Sequence, residues 1–461
     1  MPVVENCGRD YTICRHISLG TGEDQIMNNI IQKTTEAIDK VVGLTGRAGP
    51  IFTQFDRDRI LRDAARAQKR VSGMAAPHPL AGKRVSIKDL FDEEGEVTTA
   101  GSQLLRDRPA ASSDSVVVAR LKDVGAIMFG RTSMSEFAYS GTGLNPHHGT
   151  PGNIYDEKRI PGGSSSGAAL SIALGWCDFA IGTDTGGSVR IPAAANGLFG
   201  FEPTQKTVPL DGVHPLSRTL DSAGPLAADL PTIVAAYEVM SATTPAVDDQ
   251  KSDSQSGLRL AIPLNAFVND LDDQVEEDYA AMVSRLRSAG HKLDSLDLAF
   301  LQNAIGVNRV IVAAEAYDLY KNDLDRLEVI GDPRVLQRIR FAETLSQQQI
   351  DDAYGGRNEA VSRFNREMDG FDALVTPSLQ TIVPTIEETR ADFDRLNAAM
   401  LRNPSLINLA DGCSLVMPIP DMFKPEHGQA TCPSMMLSAA GGRDWRLLGV
   451  AQALQQTFNT H

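Results

Sequence analysis

Residues 162–194 read GGSSSGAALSIALGWCDFAIGTDTGGSVRIPAA and decide how the chain is understood. Two glycine- and serine-rich runs, 162–167 and 182–188, flank a unit of small apolar residues. Residues 168–174 predict a helix and 178–181 a short strand. Gly/Ser runs often make flexible linkers, but both of these abut strongly apolar segments. They therefore sit at the ends of buried elements. Glycine at such a place lets the backbone approach a ligand and aim consecutive N–H groups at it. One serine among Ser164–Ser166 is also expected to cap the helix beginning near Gly167.

Outward from this unit, helical spacing predicts helices over 24–42 and 56–71. Alternation predicts a strand over 84–89, in which Val85 and Ile87 alternate with polar residues. Ser112, Ser113 and Asp114 offer N-caps for a helix over 115–124, and 126–130 predicts a buried strand. Further strands are expected at 259–263 and 373–377, and helices at 271–289 and 443–455. Residues 300–369 read as mostly helical and charged. Residues 1–21 have no periodicity, and 244–257 read as a polar surface loop. Strands alternating with helices predict an α/β fold, a sheet between helical layers.

Composition narrows the function. The chain has 461 residues, 42% hydrophobic and 22% charged, which excludes a disordered chain, a coiled coil or a collagen. Its formal net charge of −15 disfavours a general nucleic-acid surface. The longest apolar stretch, 167–182, is interrupted by Asp178 and is too short to span a bilayer. The N-terminus lacks a charged-then-apolar export pattern. Cys7, Cys14, Cys177, Cys413 and Cys432 show no CxxC spacing, which points to a reducing cytoplasm and away from disulfides or zinc.

A serine nucleophile needs a base. None of the eight histidines falls in a recognisable signature. Adjacent His147 and His148 are poorly placed to share a metal and read as loop residues. Lys88 is the other candidate, because a desolvated lysine loses its proton near neutrality. The competing expectation is that Lys88 snorkels to solvent or pairs with a carboxylate such as Asp89.

Taken together, Lys88, the run 162–167 and the run 182–190 with Pro192 resemble the amidase signature family of serine hydrolases. Its pattern is a strand lysine, then GGSSxG, then GTDxGGSxRxPA. Ser188 follows Ser164 by 24 residues, a spacing similar to the family's own. Residues 98–102 (TTAGS), 131–137 (RTSMSEF), 221–226 (DSAGPL) and 371–377 (FDALVTP) agree with the resemblance. It implies a three-layer α/β/α fold with a central mixed sheet. It implies an N-terminal arm over 1–24 and an amidase signature domain over 25–461. Within that domain the catalytic core falls at 79–228 and 370–457, and a more variable helical region at 230–370.

The resemblance also implies the chemistry, hydrolysis of a non-peptide carboxamide to an acid and ammonia or an amine. Ser188 would be the nucleophile, Ser164 a bridging serine after a cis peptide, and Lys88 the base. The N–H groups of Thr185, Gly186, Gly187 and Ser188 would form an oxyanion hole. Asp184, Arg190, Gly163 and Ser165 would support the loop. No cofactor, metal, nucleic acid or membrane is implied. The partner is a small amide, and a homodimer stays open. The acyl pocket is expected between Met134–Phe137 with the 139–148 loop on one side, and the 300–345 helices with 412–436 on the other. Met134, Ser135 and Phe137 are its candidate lining. Arg334 and Arg338 share a helical face there, and either would favour a substrate carboxylate if it points inward.

Other readings are distinguishable. A Ser–His–Asp hydrolase would centre on Ser165 in 163–167, but the charged residues before it do not form the required strand. The glutaminase-type component of a tRNA-dependent amidotransferase would copurify with a second chain. A glycine-loop nucleotide-binding protein would need GxxxxGK[ST] or GxGxxG, and neither is present. A catalytically dead binding module is opposed by the intact Lys88, Ser164 and Ser188.

Overall fold

The computed structural model describes residues 30–72, 76–246, 257–303 and 305–459. The expected N-terminal arm, with Cys7 and Cys14, lies outside the described residues, as does most of the 244–257 loop. Among the described residues, eleven strands form one mixed sheet. They are β1 Phe52–Gln54, β2 Arg84–Lys88, β3 Ile127–Thr132, β4 Phe179–Asp184, β5 Phe199–Glu202 and β6 Ser222–Ala227. Then follow β7 Arg259–Pro263, β8 Lys292–Leu296, β9 Ala373–Pro377, β10 Cys413–Pro418 and β11 Ser434–Ala439. Their order is β1-β3-β2-β4-β6-β5-β10-β11-β9-β7-β8. Parallel pairs at β3-β2-β4 and β9-β7-β8 flank an antiparallel centre.

The layering follows from side-chain alternation along each strand. Phe179 and Ile181 of β4 enter one apolar core, and Ala180 between them enters the other. Ala373 and Val375 of β9 divide from Leu374 in the same way. Helices cover both faces, which gives the three-layer α/β/α arrangement. The expected strands at 259–263 and 373–377 coincide with β7 and β9. Strands β10 and β11 are not among the expected ones; they take up 413–418 and the end of 412–436. Among the described residues, none of that stretch lines the cleft that Ser188 opens onto, which corrects its reading as a pocket wall.

Two local facts position the site. On β2, Val85 and Ile87 face one core, so Ser86 and Lys88 share the opposite face. Ser86 Oγ lies 2.8 Å from Ser171 Oγ, on the helix Ser166–Ala173. That helix begins just after Ser164, so the same strand face brings Lys88 to the start of the helix. Gly167 lets the start of that helix pack against the backbone at Ile51 and Ser133: a Cβ there would stand 2.3 Å from the Ile51 carbonyl and 2.8 Å from the Ser133 nitrogen. On the neighbouring strand pair, Gly182 of β4 faces Gly224 of β6 and Asp184 faces Ser222. The turn after Asp184 thereby lies beside Asp221.

No helix among the described residues is long and apolar enough to cross a membrane. At the sheet centre, a Cβ on Gly224 would meet the Phe201 carbonyl oxygen at 1.9 Å. That contact cannot be relieved by a side-chain rotation. Gly224→Ala is expected to lose about 1–3 kcal/mol of stability, read from urea unfolding with an unchanged slope.

Candidate active site

Lys88 is fully buried at the end of β2. Its Nζ lies 2.8 Å from Ser164 Oγ, 2.9 Å from Thr183 Oγ1 and 3.2 Å from the Thr183 carbonyl oxygen. Asp89, the carboxylate that would have neutralised it, is turned to Arg131, whose Nη2 donates to Asp89 Oδ1 at 2.7 Å. Burial pushes the Lys88 amine down from 10.5 to about 7, against the opposing pull of Asp184 and Asp221. A neutral amine has two N–H donors and one lone pair. Donating to the carbonyl and hydroxyl of Thr183 leaves that lone pair for the Ser164 hydroxyl.

The peptide between Gly163 and Ser164 is cis. Gly163 has no room for a side chain, since a Cβ would lie 2.4 Å from the Gly143 nitrogen. The Ser164 carbonyl accepts from the Ser135 N–H at 3.2 Å. Ser165 N–H donates to the Ser188 carbonyl at 3.2 Å, which ties the two runs together. Ser165 Oγ is buried with no partner among the described residues.

The turn after β4 is held by Asp184. Its carboxylate accepts from the N–H groups of Gly187 at 2.6 Å, Val189 at 3.0 Å and Arg190 at 3.3 Å. It also takes the Arg190 guanidinium, at 3.0 Å from Nη2 and 3.1 Å from Nε, and Asn408 Nδ2 at 2.8 Å. Burial alone would raise the Asp184 carboxyl, but the Arg190 charge and these bonds keep it below the usual carboxylate range. Nearby Glu202 is pushed up by burial, and Asn408 Nδ2 reaches its Oε1 at 2.9 Å.

This arrangement corrects the expected oxyanion hole at one position. The Gly187 N–H is already taken by Asp184, and what Gly187 contributes is a φ of 118°. The N–H groups of Thr185, Gly186 and Ser188 have no acceptor among the described residues. Thr185 Oγ1 donates to Asp221 at 2.5 Å, and Asp221 also accepts from the Leu216 and Ser217 N–H groups. Burial raises Asp221 to about 6.

Ser188, Thr185 and Gly186 open onto a cleft of about 760 Å³. Its other walls include Tyr139, Ser140, Asn308, Arg338 and Asn397. Tyr139 and Ser140 come from the expected loop, and Asn308 and Arg338 from the expected helices. Met134, Ser135 and Phe137 do not line the cleft, which corrects their expected place. All three are buried behind it, and Phe137 stacks on Tyr320 with ring centroids 4.1 Å apart. The arginines divide. Arg334 is spent on Asp332, with Nη2 to Oδ2 at 2.6 Å. Arg338 faces the cleft, its guanidinium 4.4 Å over the Tyr139 ring and its Nη1 buried without a hydrogen-bond partner. The helix Phe393–Leu409, which supplies Asn397 and Asn408, is not among the expected elements.

The model of the Amidase family matches residues 50–447 of this chain. The chain belongs to the amidase signature family. A 2-amino-5-chloromuconic acid deaminase of Comamonas testosteroni is 33% identical over 355 residues, 74% of this chain and 75% of that protein. The A component of the glutamyl-tRNA(Gln) amidotransferase of Chromohalobacter salexigens is 30% identical over 463 residues, 92% of each. Among solved structures, an amidase superposes with a TM-score of 0.82 at 25% identity, covering 93% of this chain and 96% of the other. The chain is an amide-hydrolysing enzyme of this family, and its fold is the family's.

Because Lys88 is buried among neutral acceptors, its amine should titrate near pH 7. The ¹³Cε resonance of Lys88 is expected to pass its midpoint there, far below the ordinary 10.5.

Proposed function

We propose that this enzyme hydrolyses a carboxamide through Ser188, Ser164 and Lys88. The observation that carries the reading is the buried Lys88 amine, 2.8 Å from Ser164 Oγ beside the cleft that Ser188 enters, with burial bringing its deprotonation down to about pH 7. Lys88 accepts the Ser164 proton as Ser164 accepts that of Ser188, and Ser188 Oγ attacks the amide carbon. The N–H groups of Thr185, Gly186 and Ser188 face the oxygen as it becomes negative, and their fixed orientation costs no reorganisation. The relay returns a proton to the leaving nitrogen, which departs as ammonia or an amine. Water then enters, gives its proton back through Ser164, and releases the acid from Ser188. A reducing cytosol is the compartment that goes with this reading, and the free, buried Cys177, Cys413 and Cys432 suit it.

The favoured substrate carries a carboxylate on its acyl part. Arg338 supports this, as a cleft guanidinium with an unused N–H beside an aromatic wall. The relative named for 2-amino-5-chloromuconic acid is consistent with an acidic substrate. A second reading, the glutaminase-type component of a tRNA-dependent amidotransferase, is favoured by the length of the match to the Chromohalobacter protein. Copurification with a larger partner chain would establish it, and a lone active protein would remove it.

Ser188→Ala is expected to abolish turnover with the fold intact, and a fluorophosphonate probe to label Ser188. An adduct on Ser165 would overturn the assignment. kcat/KM is expected to rise with pH to a plateau, with its midpoint near 7, because only neutral Lys88 accepts a proton. Arg338→Met is expected to lower kcat/KM by about tenfold to a hundredfold on a dicarboxylic acid monoamide, and by much less on the monocarboxylic amide of equal length. Equal losses would remove the carboxylate.

A further inference from the structure

Glu136 is buried at the turn Glu136–Ala138, and it joins both walls of the Arg338 subsite. Its Oε2 accepts from the Asp332 backbone N–H at 2.6 Å. Its Oε1 accepts from Ser102 Oγ at 2.6 Å and lies 3.0 Å from His147 Nε2. Asp332 is the N-cap of the helix Pro333–Arg340, which carries Arg338. The Asp332 side chain is occupied by the Arg334 N–H and guanidinium, so only its backbone N–H is committed to Glu136. In the other direction, Glu136 is three residues from Tyr139, across a turn in which Phe137 and Ala138 hold φ values of 52° and 60°. That turn has little freedom to shift.

The two partners of the Arg338–Tyr139 contact therefore reach the same carboxylate. Tyr139 reaches it along its own chain. Arg338 reaches it through one helix and the Asp332 N–H. We propose that Glu136 is a positioning residue for substrate recognition, fixing how far the Arg338 guanidinium stands from Tyr139 and from the amide to be cleaved. His147, one of the adjacent histidine pair, has its place here as a partner of Glu136. The buried carboxylate accepts at both oxygens, and an amide in its place can accept at only one of them. This inference rests on the carboxylate reading of Arg338.

The experiment compares kcat and KM of the full-length enzyme on a dicarboxylic acid monoamide and the monocarboxylic amide of equal length. Glu136→Gln keeps the shape but turns an amide nitrogen towards one of the donors. It is expected to raise KM for the acidic amide about tenfold, with a loss of less than about threefold on the neutral one and little change in kcat on either. Ser102→Ala leaves the Asp332 bond in place and is expected to keep the wild-type preference. Should Glu136→Gln fail to fold, Asp332→Pro cuts the same bond from the helix side, since the Asp332 φ of −73° already suits proline. It must lose the preference likewise. Equal losses on both substrates, or a fall in kcat alone, would overturn the role of Glu136 while Arg338→Met still discriminates. If Arg338→Met itself does not discriminate, the carboxylate reading falls and this inference with it.

Discussion

The buried pairing of Asp184 with Arg190 is the constraint on which the rest of the site depends. Two opposite charges with no water around them are stable only when their remaining hydrogen-bonding capacity is met. Asp184 meets it with three backbone N–H groups of its own turn and with Asn408. Satisfying the ion pair therefore folds the 185–190 turn into one shape. Once Gly187, Val189 and Arg190 are bound to the carboxylate, the N–H groups of Thr185, Gly186 and Ser188 are left pointing elsewhere. The charge pair and the unfilled donors are two consequences of a single arrangement.

The same economy of charge explains Lys88. An amine in that position would stay protonated if any carboxylate lay against it. Asp89 is adjacent in sequence, but strand alternation sends it to the other face, where Arg131 and the Thr99 hydroxyl hold it. Asp184 and Asp221 pull on Lys88 from a distance, and desolvation outweighs them. The nearest partners are hydroxyls and a carbonyl, which accept hydrogen bonds without adding negative charge. An arginine could not replace Lys88, because its guanidinium holds its proton at any usable pH.

Much of this is legible in the sequence, for physical reasons. Strands β7 and β9 are short apolar runs with clear boundaries, so length and boundaries identify them. The runs 162–167 and 182–188 declare themselves because glycine is needed where backbone meets backbone, as at Gly163 and Gly167. Other elements are hidden. Strand β10 is buried on both faces, and CSLVMP offers no alternation to read. Asn408 lies 224 positions from Asp184, and nothing local in the helix Phe393–Leu409 marks it as a partner of the turn. Thr183 and Asp221 sit inside stretches that carry the family resemblance, but their contacts depend on the β4–β6 register. Arg334 and Arg338 are equivalent by helical spacing. Only the N-cap Asp332 separates them, by taking Arg334 for itself.

That division has a wider meaning for how the enzyme is built. The reacting groups hang from the ends of β2 and β4 and from the turn that Asp184 locks, all in the packed centre of the sheet. A change there disturbs buried charge. The wall opposite, with Asn308, Arg338 and Asn397, is made of helices packed on one another and, through Phe393–Leu409, on β10. Their apolar faces need only cover a surface, a demand that many side-chain sets satisfy. Such a wall can change its polar residues without moving the relay. It can recognise a charged acyl group only if something rigid sets its distance from the relay, and an exposed helix packed by apolar contacts alone would leave that distance loose. The hydrogen bond from Asp332 to buried Glu136 supplies the missing rigidity, because it ties the first turn of the Arg338 helix to the same segment, 133–140, that lies directly behind Ser164.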